Sequence, residues 1–304
     1  GKGGVGTRRA ASAPPPRCRH AMVYDAADGA FVLFGGVDAA AASSQTWRWD
    51  GAAWTQQTGG GPSARYGSAM VFDEARGEAL LFGGSYRAFA DDPQTWGWDG
   101  SRWSLRAVGG PGARYAHAMT YDSGRAATIL FGGDAPTPSG GMPTRETWEW
   151  DGGSWMLRSA SGPEPRSWPA LAFDRGRGVA VLFGGLGNSN YYGDTWEWNG
   201  VQWTLRATTG PSPRYVASMS YDPVRHVCVL FGGTVPSLAS SNQTWFWDGL
   251  RWEQQTPVSA PAARGGAAMV YDDVRGVTLL VGGFVGQVNG TYFGDAWEWD
   301  GHNW

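Results

Sequence analysis

The feature that most constrains this chain is a tryptophan pattern that recurs six times. A Trp-x-Trp pair stands at Trp47/Trp49, Trp96/Trp98, Trp148/Trp150, Trp196/Trp198, Trp245/Trp247 and Trp297/Trp299. A third tryptophan follows seven residues after the first of each pair, at Trp54, Trp103, Trp155, Trp203, Trp252 and Trp304. These positions account for 18 of the 19 tryptophans and leave Trp168 alone outside the pattern. A glycine doublet precedes each pair, from Gly35-Gly36 through Gly282-Gly283. A period of about 50 residues repeated end to end means a fold built from six copies of one unit, each burying its apolar face against the next.

Each unit spells four short strands. The first is the run His20–Asp25 and its echoes, and the second is the apolar run that ends in the glycine doublet. The third is the Trp-x-Trp segment, whose period of two puts both indoles on one face of a strand. The fourth begins at the third tryptophan. Asp-x-x-Arg-Gly or a close variant joins the first two strands, and Asp-Gly or Asn-Gly joins the last two; both are hairpin signals. Helical periodicity appears nowhere. The expectation is an all-β, six-bladed β-propeller of four-stranded antiparallel blades.

The glycine doublet after an apolar strand, the Trp-rich third strand and the Arg-x-x-His of Arg17–His20 and Arg114–His117 resemble the kelch repeat, and the likeness runs from Thr7 to the last residue. The resemblance implies a single domain over 1–304, with blades at about 17–58, 65–107, 114–159, 166–208, 214–256 and 264–304. Residues 1–6 read as a frayed terminus. Residues 7–16 match the fourth strand and linker of other repeats, so residues 7–10 are expected to complete the last blade and close the ring. Function stays open on this ground, because kelch propellers include enzymes, sugar binders and protein-binding scaffolds.

Composition excludes several classes. Gly 48 and Pro 18 approach the range of disordered chains, but 42% hydrophobic and 14% aromatic residues supply a core. A net charge of −3 offers no footprint for nucleic acid. No apolar run reaches the 18 or so residues of a membrane helix, and the amino-terminal segment carries no apolar leader. Cys18 and Cys228 make neither a disulfide framework nor a thiolate zinc site. The opening Gly1–Thr7 lacks the strand, helix and Lys-Ser/Thr pair of a phosphate-binding loop. Arginine replaces lysine almost throughout, with Lys2 the only lysine, a bias that fits a GC-rich bacterial source. A secreted or periplasmic location is expected.

Loop lengths choose the functional face. The first hairpin spans 13 residues from Met22 to Gly35 and keeps that length in all six repeats. The second–third connection instead varies as 9, 10, 13, 9, 10 and 12 residues. Variable loops on a rigid scaffold are where binding resides. Tyr66, Tyr86, Tyr115, Tyr191, Tyr192, Tyr215 and Tyr292 map to that face, with Trp168. Beside them runs one arginine per blade, Arg17, Arg65, Arg114, Arg166, Arg214 and Arg264, near the channel mouth. Guanidinium groups there suit a ligand carboxylate. Their sixfold recurrence favours a structural role, holding loop carbonyls or pairing with Glu146, Asp194 and Asp295. His20 and His117 invite comparison with copper radical oxidases, but their place in the repeat favours a structural histidine. The candidate surface comprises the tyrosines, the arginines, Trp168 and His117, with no catalytic residue, metal or cofactor. The function expected is a binding module for a protein or glycan partner, alone or within a larger assembly. The alternative is a sugar-active enzyme resembling the six-bladed sialic-acid mutarotase.

Overall fold

The computed structural model describes residues 13–85, 93–138, 140–286 and 290–304. Six antiparallel sheets stand around one axis as blades of a β-propeller. Blade 1 runs from the axis outward as Ala21–Asp25, Ala30–Phe34, Thr46–Trp49 and Trp54–Gln57. Blades 2 to 5 repeat that order. Blade 6 shows Ala268–Asp272, Val277–Val281 and Ala296–Trp299 among the described residues. Its expected fourth strand, residues 7–10, lies outside them. No described helix is long and apolar enough to cross a membrane.

The tryptophans are the joinery of the ring. Across the three–four hairpins of blades 1 to 5 the second and third tryptophans are register partners, as in Trp198 opposite Trp203, and Trp299 and Trp304 of blade 6 make the same ring contact. Their centroids lie 5.3–5.6 Å apart in tilted pairs, a favoured aromatic geometry. The third indole then crosses to the preceding blade. Trp203 meets Phe131 edge-on at 5.1 Å and donates its Nε1–H to Thr147 Oγ1 at 2.7 Å. The same pair of contacts joins Trp103 to Phe34 and Thr46, and Trp304 to Phe231 and Thr244.

The glycine doublet is required twice over. Gly35 and Gly36 have φ of 69° and 89°, and a Cβ on Gly35 would sit 2.6 Å from the Arg65 carbonyl of the next blade. Neighbouring backbones can approach that closely only at glycine. The Asp that ends each first strand caps its hairpin, as expected: Asp25 Oδ1 accepts the backbone N–H of Ala27 at 3.0 Å. Both constant hairpin sets share one face, where Arg76 of blade 2 donates to the Asp151 carbonyl of blade 3. The variable connections occupy the other. There, blade 3 raises a hairpin of Asp134–Thr137 and Gly140–Pro143, and blade 6 raises one of Phe284–Val285 and Thr291–Tyr292. In blade 4 the second and third strands extend to Leu186 and from Tyr191.

Candidate functional site

The six arginines are not open to a ligand. Each is 0–3% exposed. Arg166 shows the arrangement: Nη1 donates to the Gly184 carbonyl at 3.0 Å, Nε to Glu164 O at 3.0 Å, and the fork grips Asp194 at 2.6 and 3.0 Å. Asp194 also accepts the Trp196 indole N–H at 2.7 Å, which explains the acidic or amide residue two places before all six Trp pairs. Arg114–Glu146 and Arg264–Asp295 repeat the ion pair. Arg17 and Arg214 meet Gln45 and Gln243 instead, and burial lowers both guanidinium groups to about 10. Arg65 holds the Gly83 carbonyl at 2.9 Å. These nodes lock each blade's loops, because a buried charge survives only when paired and hydrogen-bonded.

His117 is likewise internal. It stacks edge-on against Phe82 at 5.5 Å, and its ring sits where a Cβ on Gly83 would fall. His20 takes the corresponding place against Gly282. Burial pushes both imidazoles down to about 3, aided by Arg17 and Arg114. Both rings are buried in the wall of the small cavity beneath the mouth, and their ring nitrogens have no partner among the described residues.

The surface at the mouth is built by the residues between Arg and His in the repeat. Arg19, Gly67, Ala116, Trp168, Val216 and Gly266 all adopt positive φ, from 50° to 65°. Each donates its backbone N–H to the carbonyl of its counterpart on the preceding blade, at 2.6–3.2 Å, in a closed circuit of six. Left-handed backbone costs non-glycine residues roughly 1–2 kcal/mol each, which the circuit offsets. The circuit narrows one end of the channel like an iris. Five of its positions contribute Gly, Ala, Val or Arg; the sixth is the lone Trp168. Its indole reaches from blade 4 across to blade 2, where a Cβ on Gly67 would lie 2.8 Å from it. Arg19, from blade 1, lays its guanidinium over the same indole at 4.9 Å and over Phe284 at 5.2 Å.

A second ring surrounds the first. Tyr66, Tyr115, Ser167 and Tyr215 pair by isolated bridges with Ser85, Asp134, Leu186 and Thr234. Tyr115 links the rings, edge-on to Trp168 at 6.0 Å and to Tyr66 at 6.3 Å. Tyr191 packs against Tyr215 at 5.7 Å. All of these tyrosines, and Tyr292, are half-buried. Tyr192 differs from the expectation by stacking on the buried Arg166 at 4.0 Å, a lid on that node. Tyr86 lies outside the described residues. Burial raises the Asp134 carboxyl, against the pull of hydroxyls from Tyr115 and Ser167.

Sequence reasoning placed Asp134 on this face without singling it out and missed Arg19 and Phe284, although a signal existed for Arg19. The third position of Arg-x-x-His is small in four repeats, and only Arg19 and Trp168 are large. The opposite end of the axis also escaped it. There the inner strands enclose a cavity of about 210 Å³ whose mouth carries exposed Glu74, Arg175 and Asp273, the last two paired at 3.0 Å. The cavity under the iris is smaller, about 110 Å³.

Fold and mouth together define a class: a six-bladed β-propeller whose repeat-breaking residues gather at one end of its axis. The solved structure titled "Structure of YjhT" is similar to this chain with a TM-score of 0.72 and 13% sequence identity, covering 94% of this chain and 95% of that one. At that identity the likeness establishes the fold alone. Matches extend to 504 chains of solved structures, so the fold is shared too widely to name a ligand. No protein-family model matches the chain, and no curated protein matches it in sequence.

Proposed function

We propose that this protein is a kelch-type propeller that binds a protein or glycan partner through its axial mouth. One observation carries the reading. Residues that break the sixfold repeat (Arg19, Trp168, Tyr66, Tyr115, Tyr215 and Phe284) converge at one end of the axis, while the repeated aromatics and arginines are buried in the scaffold. Half-buried tyrosine and tryptophan offer large contact area with few torsions to freeze, as at interface hot spots.

The enzyme reading has one observation in its favour, the raised carboxyl of Asp134 beside two hydroxyls. The cavity under the iris, about 110 Å³, is below the roughly 300–1,000 Å³ of ordinary ligand pockets, and the cleft of about 580 Å³ at Tyr191, Tyr192 and Asp194 is not lined by Asp134. Binding on an open surface fits it better than enclosure of a sugar.

A glycan array and a pull-down from the native secretome, run with wild type and Trp168→Ala, test the proposal. The wild type is expected to retain a partner that the variant holds at least tenfold more weakly. Retention of equal strength by Trp168→Ala removes the mouth as the site.

A further inference from the structure

Arg19 differs from every other described arginine. The other nineteen all make a hydrogen bond or an ion pair: the six repeat arginines hold doublet carbonyls, Arg177 and Arg206 hold Glu197, and even the exposed Arg251 lies 4.0 Å from Asp248. The Arg19 side chain makes neither among the described residues. Its Nε is buried and has no acceptor. Such a group costs free energy unless something completes it, since a buried donor without a partner carries its full desolvation penalty.

The guanidinium is nevertheless held firmly. Trp168 from blade 4 and Phe284 from blade 6 take its two neighbouring aromatic contacts at 4.9 and 5.2 Å, and the backbone of Arg19 is fixed in the iris by bonds of 2.7 Å to Gly266 and 2.9 Å from Gly67. A cation stacked on aromatic faces keeps its in-plane N–H donors free. Its charge is felt by Cys18, Tyr215 and Tyr292, each pulled toward its ionised form by Arg19 while burial acts the other way. Two hydroxyls and a thiol therefore stand near the guanidinium; Asp38 also acts on Tyr292, but among the described residues no carboxylate pairs with Arg19. Asp38, on the same blade, turns its Oδ1 to the backbone N–H groups of Ala40 and Ala41.

We propose that Arg19 is the receptor for a ligand carboxylate at the centre of the mouth. The planar fork matches a carboxylate with two parallel bonds, and the aromatic clamp presents it toward the axis without spending it on the protein's own acids. This rests on the mouth being the binding face and adds the chemical group that the partner must offer. A sugar acid and an acidic side chain both supply that group.

The test titrates the full chain at constant ionic strength, read by ligand-observed NMR. The probes are D-glucuronate and N-acetylglutamate α-amide, each against its neutral counterpart, glucose and N-acetylglutaminamide. At least one carboxylate probe is expected to bind at least tenfold more tightly than its neutral counterpart, and whichever binds more tightly identifies the source. Arg19→Gln is expected to erase the preference. Arg19→Lys, which keeps the charge but loses the fork, is expected to restore part of it and controls for damage to the iris. Equal binding of charged and neutral probes, no binding of either carboxylate, or undiminished preference in Arg19→Gln overturns the proposal. The two readings fail separately: a partner lost by Trp168→Ala but kept by Arg19→Gln leaves the mouth as the binding face and removes only the carboxylate anchor.

Discussion

At the scale of single residues, the same amino acid does opposite jobs according to whether the repeat contains it. Six arginines recur and are buried in saturated nodes; Arg19 does not recur and is the one left to face the axis. His20 and His117 follow the buried pattern, and this has a consequence in acid. Both are held near 3 in the fold, against about 6.5 in an unfolded chain. Between those values the unfolded state binds more protons, so stability rises with pH across that window and falls as pH drops. At pH 5 each buried imidazole costs about 2 kcal/mol relative to pH 8. His117→Leu is therefore expected to lose less stability than wild type between pH 8 and pH 5. Urea midpoints at the two values measure the difference, and equal losses in both proteins refute the assignment. The tryptophan count made the scaffold legible, since six copies of three positions are architecture. Arg19 stayed hidden because its partners, Trp168 and Phe284, lie 149 and 265 residues away in sequence.

At the scale of the element, the outer strand contributes more than an edge. Its first tryptophan pairs with its own hairpin partner and fastens to the blade before it through one ring contact and one hydrogen bond. The strand order and hairpins followed from local spacing, but this fastening did not, because it joins residues 56–60 positions apart. The two halves of the bond are unequal. Thr147→Val keeps the shape and leaves the Trp203 indole N–H buried without an acceptor, an expected loss of about 1–3 kcal/mol. Once Trp203→Phe has removed the donor, the added Thr147→Val has no N–H left to orphan. A double-mutant cycle by chemical denaturation should show the pair of substitutions costing less than the sum of the singles. Strict additivity would mean that the bond contributes nothing.

At the scale of the whole molecule, five of the six blade junctions carry this bolt, and the junction that closes the ring is built differently. Where Trp54 of blade 1 meets blade 6, Val281 and Ala296 stand in place of the phenylalanine and threonine found elsewhere. Closure among the described residues rests on backbone bonds, Arg17 N–H to Phe293 O at 3.1 Å and Gly283 N–H to Arg17 O at 2.9 Å, and on inner-strand packing of Met22 and Tyr24 against Leu279. Beyond Ala296–Trp299 the blade has no further strand among those residues, and Trp304 is already seated on Thr244 where a fourth strand begins. The sequence of residues 7–10 repeats the outer strands of blades 3 and 4, and an unpaired strand edge is an aggregation hazard that a propeller removes by closing. Removing residues 1–12 is therefore expected to lower the melting temperature by several degrees and to increase concentration-dependent association. Differential scanning calorimetry and light scattering on the truncated chain decide it: an unchanged melting temperature with a monodisperse monomer means that the seam holds without that strand, and that the backbone bonds of Arg17 and Arg19 and the inner-strand packing close the ring by themselves.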